Sequence, residues 1–381
     1  MKTYDYIIAG AGAAGLSLVI HMIDSGKFGD KRILLIDRTP KTQNDRTWCF
    51  WEETPGLFES IVFKKWNKMW FHGCHNRSQL HDIAPYEYKM IRGIDFYRFC
   101  FDKINGHANI SVRYGVIEDI FSSDEETYLI LDGERLDASF IFSSIPHGIV
   151  KTESSYFLCQ HFKGWFIETH GNVFDPSQAT LMDFRISQGN DTRFVYVMPF
   201  SSNRALVEYT VFSENKLTDA AYNEGLTDYC KSTLHLNKDE YEINEEEFGM
   251  IPMTNYVFPA SNHNIIFIGS AGGQTKGSSG YTFRFIQKHS TQIVDELIEN
   301  NYPYATTAGK RFNFYDSILL RILTEKKLSG AVIFTKLFEQ NAMSEVFKFL
   351  DNETSLAEDI KLISSLPKSK FFSAAVAHLL K

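Results

Sequence analysis

Gly10-Ala11-Gly12-Ala13-Ala14-Gly15 has the spacing GxGxxG, a backbone arrangement suited to holding a pyrophosphate. The first glycine allows a tight strand-to-helix turn. The second lets phosphates approach the main chain, and the third lets helix and strand pack closely. The helix start adds free N–H groups and the positive end of its dipole. Asp37, about 20 residues further on, suits an acid that hydrogen-bonds the adenosine ribose. Gly10, Gly12, Ala14, Gly15 and Asp37 are therefore the expected dinucleotide-binding residues. A second segment, Ile268-Gly269-Ser270-Ala271-Gly272-Gly273, resembles the late loop with which flavoproteins complete an FAD site, and it favours FAD over NAD. Gly269, Gly272 and Gly273 are assigned to it. Flavoproteins commonly carry Asp where Ser270 stands, so the ribityl contact has no assigned partner.

These residues need particular elements to position them. Tyr4–Ala9 is short, apolar and β-prone, residues 14–25 are helical in composition, and residues 32–37 read as a second buried strand. This βαβ opening implies an α/β domain. From about Phe157 to Phe248 the pattern changes to strand-like runs at 164–169, 180–185, 193–200 and 205–212. Ser201-Ser202-Asn203-Arg204 reads as a hairpin loop between the last two. Residues 264–269 form another strand before the late loop, and a helix follows over about 282–299. Beyond Tyr304, apolar residues recur at helical spacing, and no proline falls between Pro303 and Pro367. The expectation is a discontinuous nucleotide domain over 1–150 and 255–300, an antiparallel-sheet substrate domain over 151–254, and a helical region over 301–381.

Composition narrows the function. Hydrophobic content of 44% with 23% charged residues is globular usage and excludes a disordered or fibrous chain. A formal charge of −8 without a long basic run argues against a nucleic-acid binder. The five cysteines are scattered without a CxxC pair, so neither a zinc site nor a disulfide framework is expected. The histidines show no metal-binding spacing, no metal is expected, and no GxSxG nucleophile elbow occurs. The apolar stretch Ile7–Ile20 is too short to span a bilayer and contains three glycines. No cleavable leader is evident at the start, and the scattered cysteines fit a reduced cytoplasmic compartment. The abundance of aromatics, with 32 Phe, fits either a Phe-filled core or a long apolar or cation-like ligand.

Further stretches carry a family resemblance. Asp45-Arg46-Thr47-Trp48-Cys49-Phe50-Trp51 resembles the signature of the flavin-dependent lycopene cyclases of carotenoid biosynthesis, of the bacterial type. In order along the chain, Leu181-Met182-Asp183, Tyr196-Val197-Met198-Pro199, Leu206-Val207-Glu208-Tyr209-Thr210, Gly269-Ser270-Ala271-Gly272-Gly273 with Gly280-Tyr281, and Phe349-Leu350-Asp351 are also similar to that family. The family often carries a proline before its Gly-Tyr pair, where this chain has Lys276-Gly277-Ser278-Ser279. The resemblance implies a Rossmann-like FAD fold of the p-hydroxybenzoate hydroxylase type. It also implies an isomerase (an intramolecular lyase) that cyclises the linear ends of lycopene to β-ionone rings, giving γ- and β-carotene. Reduced FAD would be required, NADPH would regenerate it, and the enzyme would work in peripheral contact with the membrane that holds the carotenoid.

Such a cyclisation needs a strong acid, a base, a dry pocket and π-rich or negative surroundings for a carbocation. The family's glutamate at the position of Glu208 is required for catalysis, which makes Glu208 the leading candidate. Strand alternation puts Leu206, Glu208, Thr210 and Phe212 on one face, and a carboxyl among apolar neighbours stays protonated. The competing reading is a solvated glutamate on an open sheet face. Asp183 is the second carboxylate candidate; alternatively it ends a strand, or pairs with Arg185 or Arg204. Trp48 and Trp51 are expected to line the polyene tunnel or flank the flavin, or else to fill the core. Arg46 is expected to approach the FAD phosphates or to pair with Asp45. Two other activities stay open: an FAD-dependent oxidoreductase of the same fold (an aromatic hydroxylase or a prenyl-chain reductase), and a non-catalytic carotenoid or lipid carrier.

Overall fold

The computed structural model describes residues 4–146, 148, 155–303 and 309–379. Its first layer is a sheet with Tyr4–Ala9 near the centre. The strands Ile33–Asp37 and Ile110–Tyr114 lie on one side of it, and Glu134–Ser143 and Ile265–Phe267 on the other. All these pairs are parallel, and an antiparallel ribbon formed by Ile117–Ser122 and Thr127–Leu131 extends from Glu134–Ser143. Parallel strands are covered on both faces, which is why Ile7, Ile8 and Ala9 are all buried. The helices Ala13–Ser25, Gly93–Asn105 and Phe283–Asn300 cover one face through Leu16, Phe96, Ile286 and Ile293.

A second sheet runs in the order Tyr241–Thr254, Phe157–Thr169, Arg204–Ser213, Thr192–Pro199, Gln178–Asp183, Lys68–His72 and Ser78–Asp82. Its last two strands come from within the first 150 residues, and Gln178–Asp183 pairs with Lys68–His72 in parallel. The sheet is therefore mixed, and it is not confined to the middle of the chain. The loop at 201–203 closes a hairpin, with Ser201 N–H donating to the Arg204 carbonyl.

Both faces of this sheet are covered. The helix Asp219–Ser232 packs Tyr222, Leu226 and Tyr229 against Val195, Val207 and Val211. The opposite face, with Phe194, Leu206 and Phe212, packs against the C-terminal helices Lys310–Thr324, Gly330–Gln340 and Met343–Leu350. Two further helices, Leu356–Ser364 and Lys368–Leu379, end the described chain. Between the two large sheets, a three-stranded sheet joins Thr47–Glu52 and Lys64–Trp66 to Glu87–Arg92.

Candidate functional site

The glycine turn forms the entry to the helix Ala13–Ser25. A Cβ on Gly15 would lie 1.9 Å from the Gly10 carbonyl oxygen, so only glycine lets the helix sit this close to the strand. At Gly12, the helix N-cap, a Cβ would meet nothing within 4 Å, and no side chain caps the free N–H groups. The space and the donors are left for a ligand. Asp37 ends its strand beside this turn: its Oδ2 accepts from Ala11 N–H at 2.8 Å, and Lys41 pairs with it at 3.3 Å. The late loop folds onto the same helix start. Gly269 has a φ of +62°, and a Cβ there would come 2.7 Å from Ala14 Cβ. Two glycine segments some 250 residues apart thus form one cradle, and Ala14 is where they meet.

From this cradle a cavity of about 280 Å³ opens toward the second sheet. Ser270, Ser279, Gly280 and Tyr281 of the late segment form one wall, Arg46, Thr47, Trp48 and Cys49 another, and Tyr196, Leu206, Glu208 and Glu247 the sheet side. Gln160 Oε1 and Ser279 Oγ are buried polar atoms without a hydrogen-bond partner in the protein, and both residues line this cavity. Open space at Gly12, an uncapped helix start and unpartnered polar atoms in the adjoining cavity are what a flavin dinucleotide laid across the two would use.

Glu208 is half-buried, and its remaining surface opens into the cavity. Desolvation by the surrounding protein raises its carboxyl well above the usual range, and the nearby Glu247 carboxylate raises it further. Thr210, whose Oγ1 donates to Glu208 Oε1 at 3.0 Å, opposes this only in part. Burial also raises Tyr196, Cys49 and Tyr281, with Glu208 adding to each, and Tyr281 is pushed up to about 12. The carboxyl therefore sits among neutral, π-rich groups.

Glu247, on the edge strand, escaped the sequence reading. Its run Asn244-Glu245-Glu246-Glu247 looks like a solvated acidic edge, and nothing in the spacing separates the third glutamate from its neighbours. Only its register across the sheet brings it to the cavity, where Thr47 Oγ1 donates to its Oε2 at 2.7 Å.

The other expected residues are placed as follows. Asp183 is 0% exposed but does not line the cavity. Burial alone would raise its carboxyl; two hydrogen bonds from the Arg185 guanidinium and the charges of His72 and Arg185 hold it below the ordinary range, and Tyr229 Oη donates to it at 2.8 Å. These partners fit the alternative reading of Asp183, a carboxylate at the end of its strand paired with Arg185, and set it apart from the cavity. Trp48 reaches the cavity while packing edge-on to Phe96. Trp51, a candidate for the tunnel wall, takes the core-packing alternative. It stacks on Phe347 at 4.2 Å and meets Tyr281 edge-on at 4.5 Å, so it supports the wall from behind. Arg46 is exposed at the cavity edge and donates to the Asp45 carbonyl oxygen. Among the described residues, no cluster of His, Cys, Asp and Glu is arranged to hold a metal ion.

A Rossmann-like cradle joined to a large sheet, with helices beyond it, is the fold of the FAD-dependent monooxygenases and reductases. The structure is similar to a geranylgeranyl bacteriochlorophyll reductase-like protein of Thermoplasma acidophilum, with a TM-score of 0.60 at 12% identity, covering 100% of this chain and 98% of that one. It is also similar to the p-nitrophenol 4-monooxygenase of Pseudomonas putida, with a TM-score of 0.59 at 11% identity, covering 97% and 99%. Identities this low speak for fold alone. Within that class the family is defined by sequence: residues 5–376 match the family described as lycopene cyclase protein, and the chain belongs to it. Two relatives are each 23% identical to it. They are a chloroplastic neoxanthin synthase of Solanum tuberosum, over 73% of this chain and 57% of that protein, and a lycopene beta-cyclase of Pantoea ananas, over 66% and 63%. The aligned parts thus span about three-fifths of those relatives.

Proposed function

We propose that this chain is a lycopene β-cyclase, an isomerase that converts the linear ends of lycopene to β-ionone rings without net oxidation. The observation that carries the reading is the Glu208 carboxyl on the wall of a cavity beside the glycine cradle, where burial and the nearby Glu247 raise it well above the usual carboxylate range and so favour its protonated form. Its O–H is the acid that protonates the terminal alkene. A positioned general acid contributes roughly 10²–10⁴-fold to rate. The cation formed is attacked by the neighbouring double bond, and loss of a ring proton leaves the ring alkene. Tyr196, Tyr281, Trp48 and Phe283, all lining the cavity, offer aromatic faces and edges to the cation. Held by Gly10, Gly12, Ala14, Gly15, Asp37, Gly269, Gly272 and Gly273, with Arg46 at the edge, reduced FAD would supply a negatively charged ring beside that cation, its electrons coming from NADPH.

The substrate dissolves in membranes, and the proposed protein meets them at the surface. No helix among the described residues is long and apolar enough to cross a bilayer. Phe372 and Leu379 on the last helix are 73% and 72% exposed, and Leu356 and Ile360 on the preceding one are also exposed. These apolar side chains, with Lys368 and Lys370 beside them in sequence, favour peripheral contact.

The fold neighbours keep a second reading in view, an FAD-dependent oxidoreductase acting on an aromatic or prenyl substrate. One experiment separates the two. The protein and its Glu208→Gln variant are expressed in cells that accumulate lycopene, and the pigments are extracted and chromatographed. Monocyclic and bicyclic carotene from the wild type, with unchanged lycopene from the variant, is the expected result. Unchanged lycopene from a folded, FAD-loaded wild type, with NADPH consumed in proportion to another product, would establish the oxidoreductase instead.

A further inference from the structure

Resting on that reading and deepening it, we infer that Glu208 and Glu247 form a dyad that holds one proton between them, and that Gly164 is the gap through which their carboxyls meet. Three adjacent strands carry these residues in one row. Gly164 on the strand Phe157–Thr169 lies directly opposite Glu208 on one side and Glu247 on the other. The outer two positions share a face and stand two strand spacings apart, about 10 Å. Their side chains can meet only by leaning over the middle residue. A Cβ at Gly164 would lie 3.0 Å from Glu247 Cγ, 3.2 Å from Glu247 Oε1 and 2.8 Å from Leu206 Cδ1. Glu247 therefore lies across Gly164, and its Oε1 is the oxygen above the gap. The remaining oxygens are tied back, since Thr47 donates to Glu247 Oε2 and Thr210 to Glu208 Oε1. Oε1 of Glu247 and Oε2 of Glu208 are left to share the proton.

The surroundings decide which partner carries it. Burial raises the Glu247 carboxyl too, but the Thr47 hydroxyl, the hydrogen bond with Glu208 and the Arg46 charge from the signature segment pull it back, with Glu245 of its own strand opposing them. Around Glu208 stand Thr210, Tyr196, Tyr281 and Cys49, with no cation among them. Glu247 is thus the anionic partner and Glu208 the proton-bearing one. Two carboxylates this close do not both ionise readily, and the pair titrates as a unit.

This arrangement supplies both halves of the reaction from one place. The Glu208 O–H bond breaks as a C–H bond forms at the terminal alkene carbon, leaving two carboxylates facing the cation. After ring closure a ring C–H bond breaks, its electron pair becomes the ring double bond, and the proton returns to the dyad. Protons and electrons balance, and no oxidant enters.

The test is an infrared titration of the purified, FAD-loaded protein, following the C=O band of a protonated carboxyl in the wild type and in the Glu208→Gln, Glu247→Gln and Gly164→Ala variants. The wild type should keep one protonated carboxyl at neutral pH, and Glu208→Gln should lose it. In Glu247→Gln that carboxyl should ionise at least one pH unit lower, a tenfold drop in proton affinity. Gly164→Ala, which pushes Glu247 aside, should move it in the same direction, and it serves as the second route should Glu247→Gln fail to fold. A band that titrates in these variants as in the wild type, or a wild type without one, would overturn the dyad. These readouts need no turnover. A normal dyad signature in a protein that leaves lycopene unchanged would refute the proposed function and leave the dyad standing.

Discussion

Glu208 is maintained in an unfavourable setting, and its stability signature should reveal this. Its folded carboxyl binds a proton far more tightly than the ordinary value of 4.5, chiefly through desolvation and then through Glu247. Between that ordinary value and the raised folded one, the native state holds a proton that the unfolded chain has released. Stability therefore falls as pH rises through this window. Glutamine removes the titration while keeping the shape. The Glu208→Gln variant should match the wild type near pH 4 and become the more stable of the two as pH increases, as measured by urea midpoints across pH. A variant that is less stable at every pH would mean that the carboxyl contributes to packing and is not held under strain. Asp183 shows the opposite case although it is the more deeply buried of the two. Paired with Arg185 and bonded by Tyr229, its carboxyl is held below the ordinary range, which favours the ionised form.

At the scale of elements, two glycines of the first turn would separate helix packing from the proposed cofactor binding, and substitutions can tell the two apart. Gly15 is where the helix Ala13–Ser25 approaches its strand, and any Cβ there collides with the Gly10 carbonyl. Gly12 faces open space. Gly12→Ala should leave the stability of the flavin-free protein within about 0.5 kcal/mol of wild type, yet lower FAD affinity at least tenfold by filling the space a pyrophosphate needs. Gly15→Ala should lower both. Thermal unfolding of apoprotein together with flavin absorbance per chain measures the two effects. If Gly12→Ala retained FAD fully, the turn would not be the phosphate site. The strand Arg204–Ser213 also behaves as a unit. Its two faces pack against the helix Asp219–Ser232 and the C-terminal helices respectively, so Glu208 meets a cavity and not an open sheet face.

At the scale of the molecule, one hydrophobic cluster joins the signature strand, the second sheet and the C-terminal helices. Trp51, Tyr88, Phe194, Phe334 and Phe347 all belong to it. The helical region is therefore part of the wall behind the cavity. Phe347→Ala, which removes the ring stacked on Trp51, should cost about 3–5 kcal/mol. The loss should appear equally in tryptophan fluorescence and in far-ultraviolet circular dichroism during denaturant unfolding. A loss confined to part of the helical signal would show that the last helices unfold separately.

Much of this architecture was legible in the chain because its signals are local. Gly10, Gly12 and Gly15 at fixed spacing, the apolar run Tyr4–Ala9 and the acid at Asp37 define a turn whose chemistry depends on its own backbone, and sequence periodicity reports backbone directly. The helical character of the C-terminal region follows from the same kind of spacing. What only the tertiary structure decided was adjacency between distant segments. Lys68–His72 and Ser78–Asp82 join a sheet otherwise built from residues beyond 150, because edge pairing depends on where the strands arrive and not on their composition. Trp48 and Trp51, three residues apart, divide between cavity and core because a strand alternates its faces and different elements cover the two. Glu247 reads as one member of an acidic run, and it meets Glu208 only because the register sets Gly164 between them. A carboxyl's proton is governed by desolvation and by its nearest charge, and both are properties of the assembled sheet.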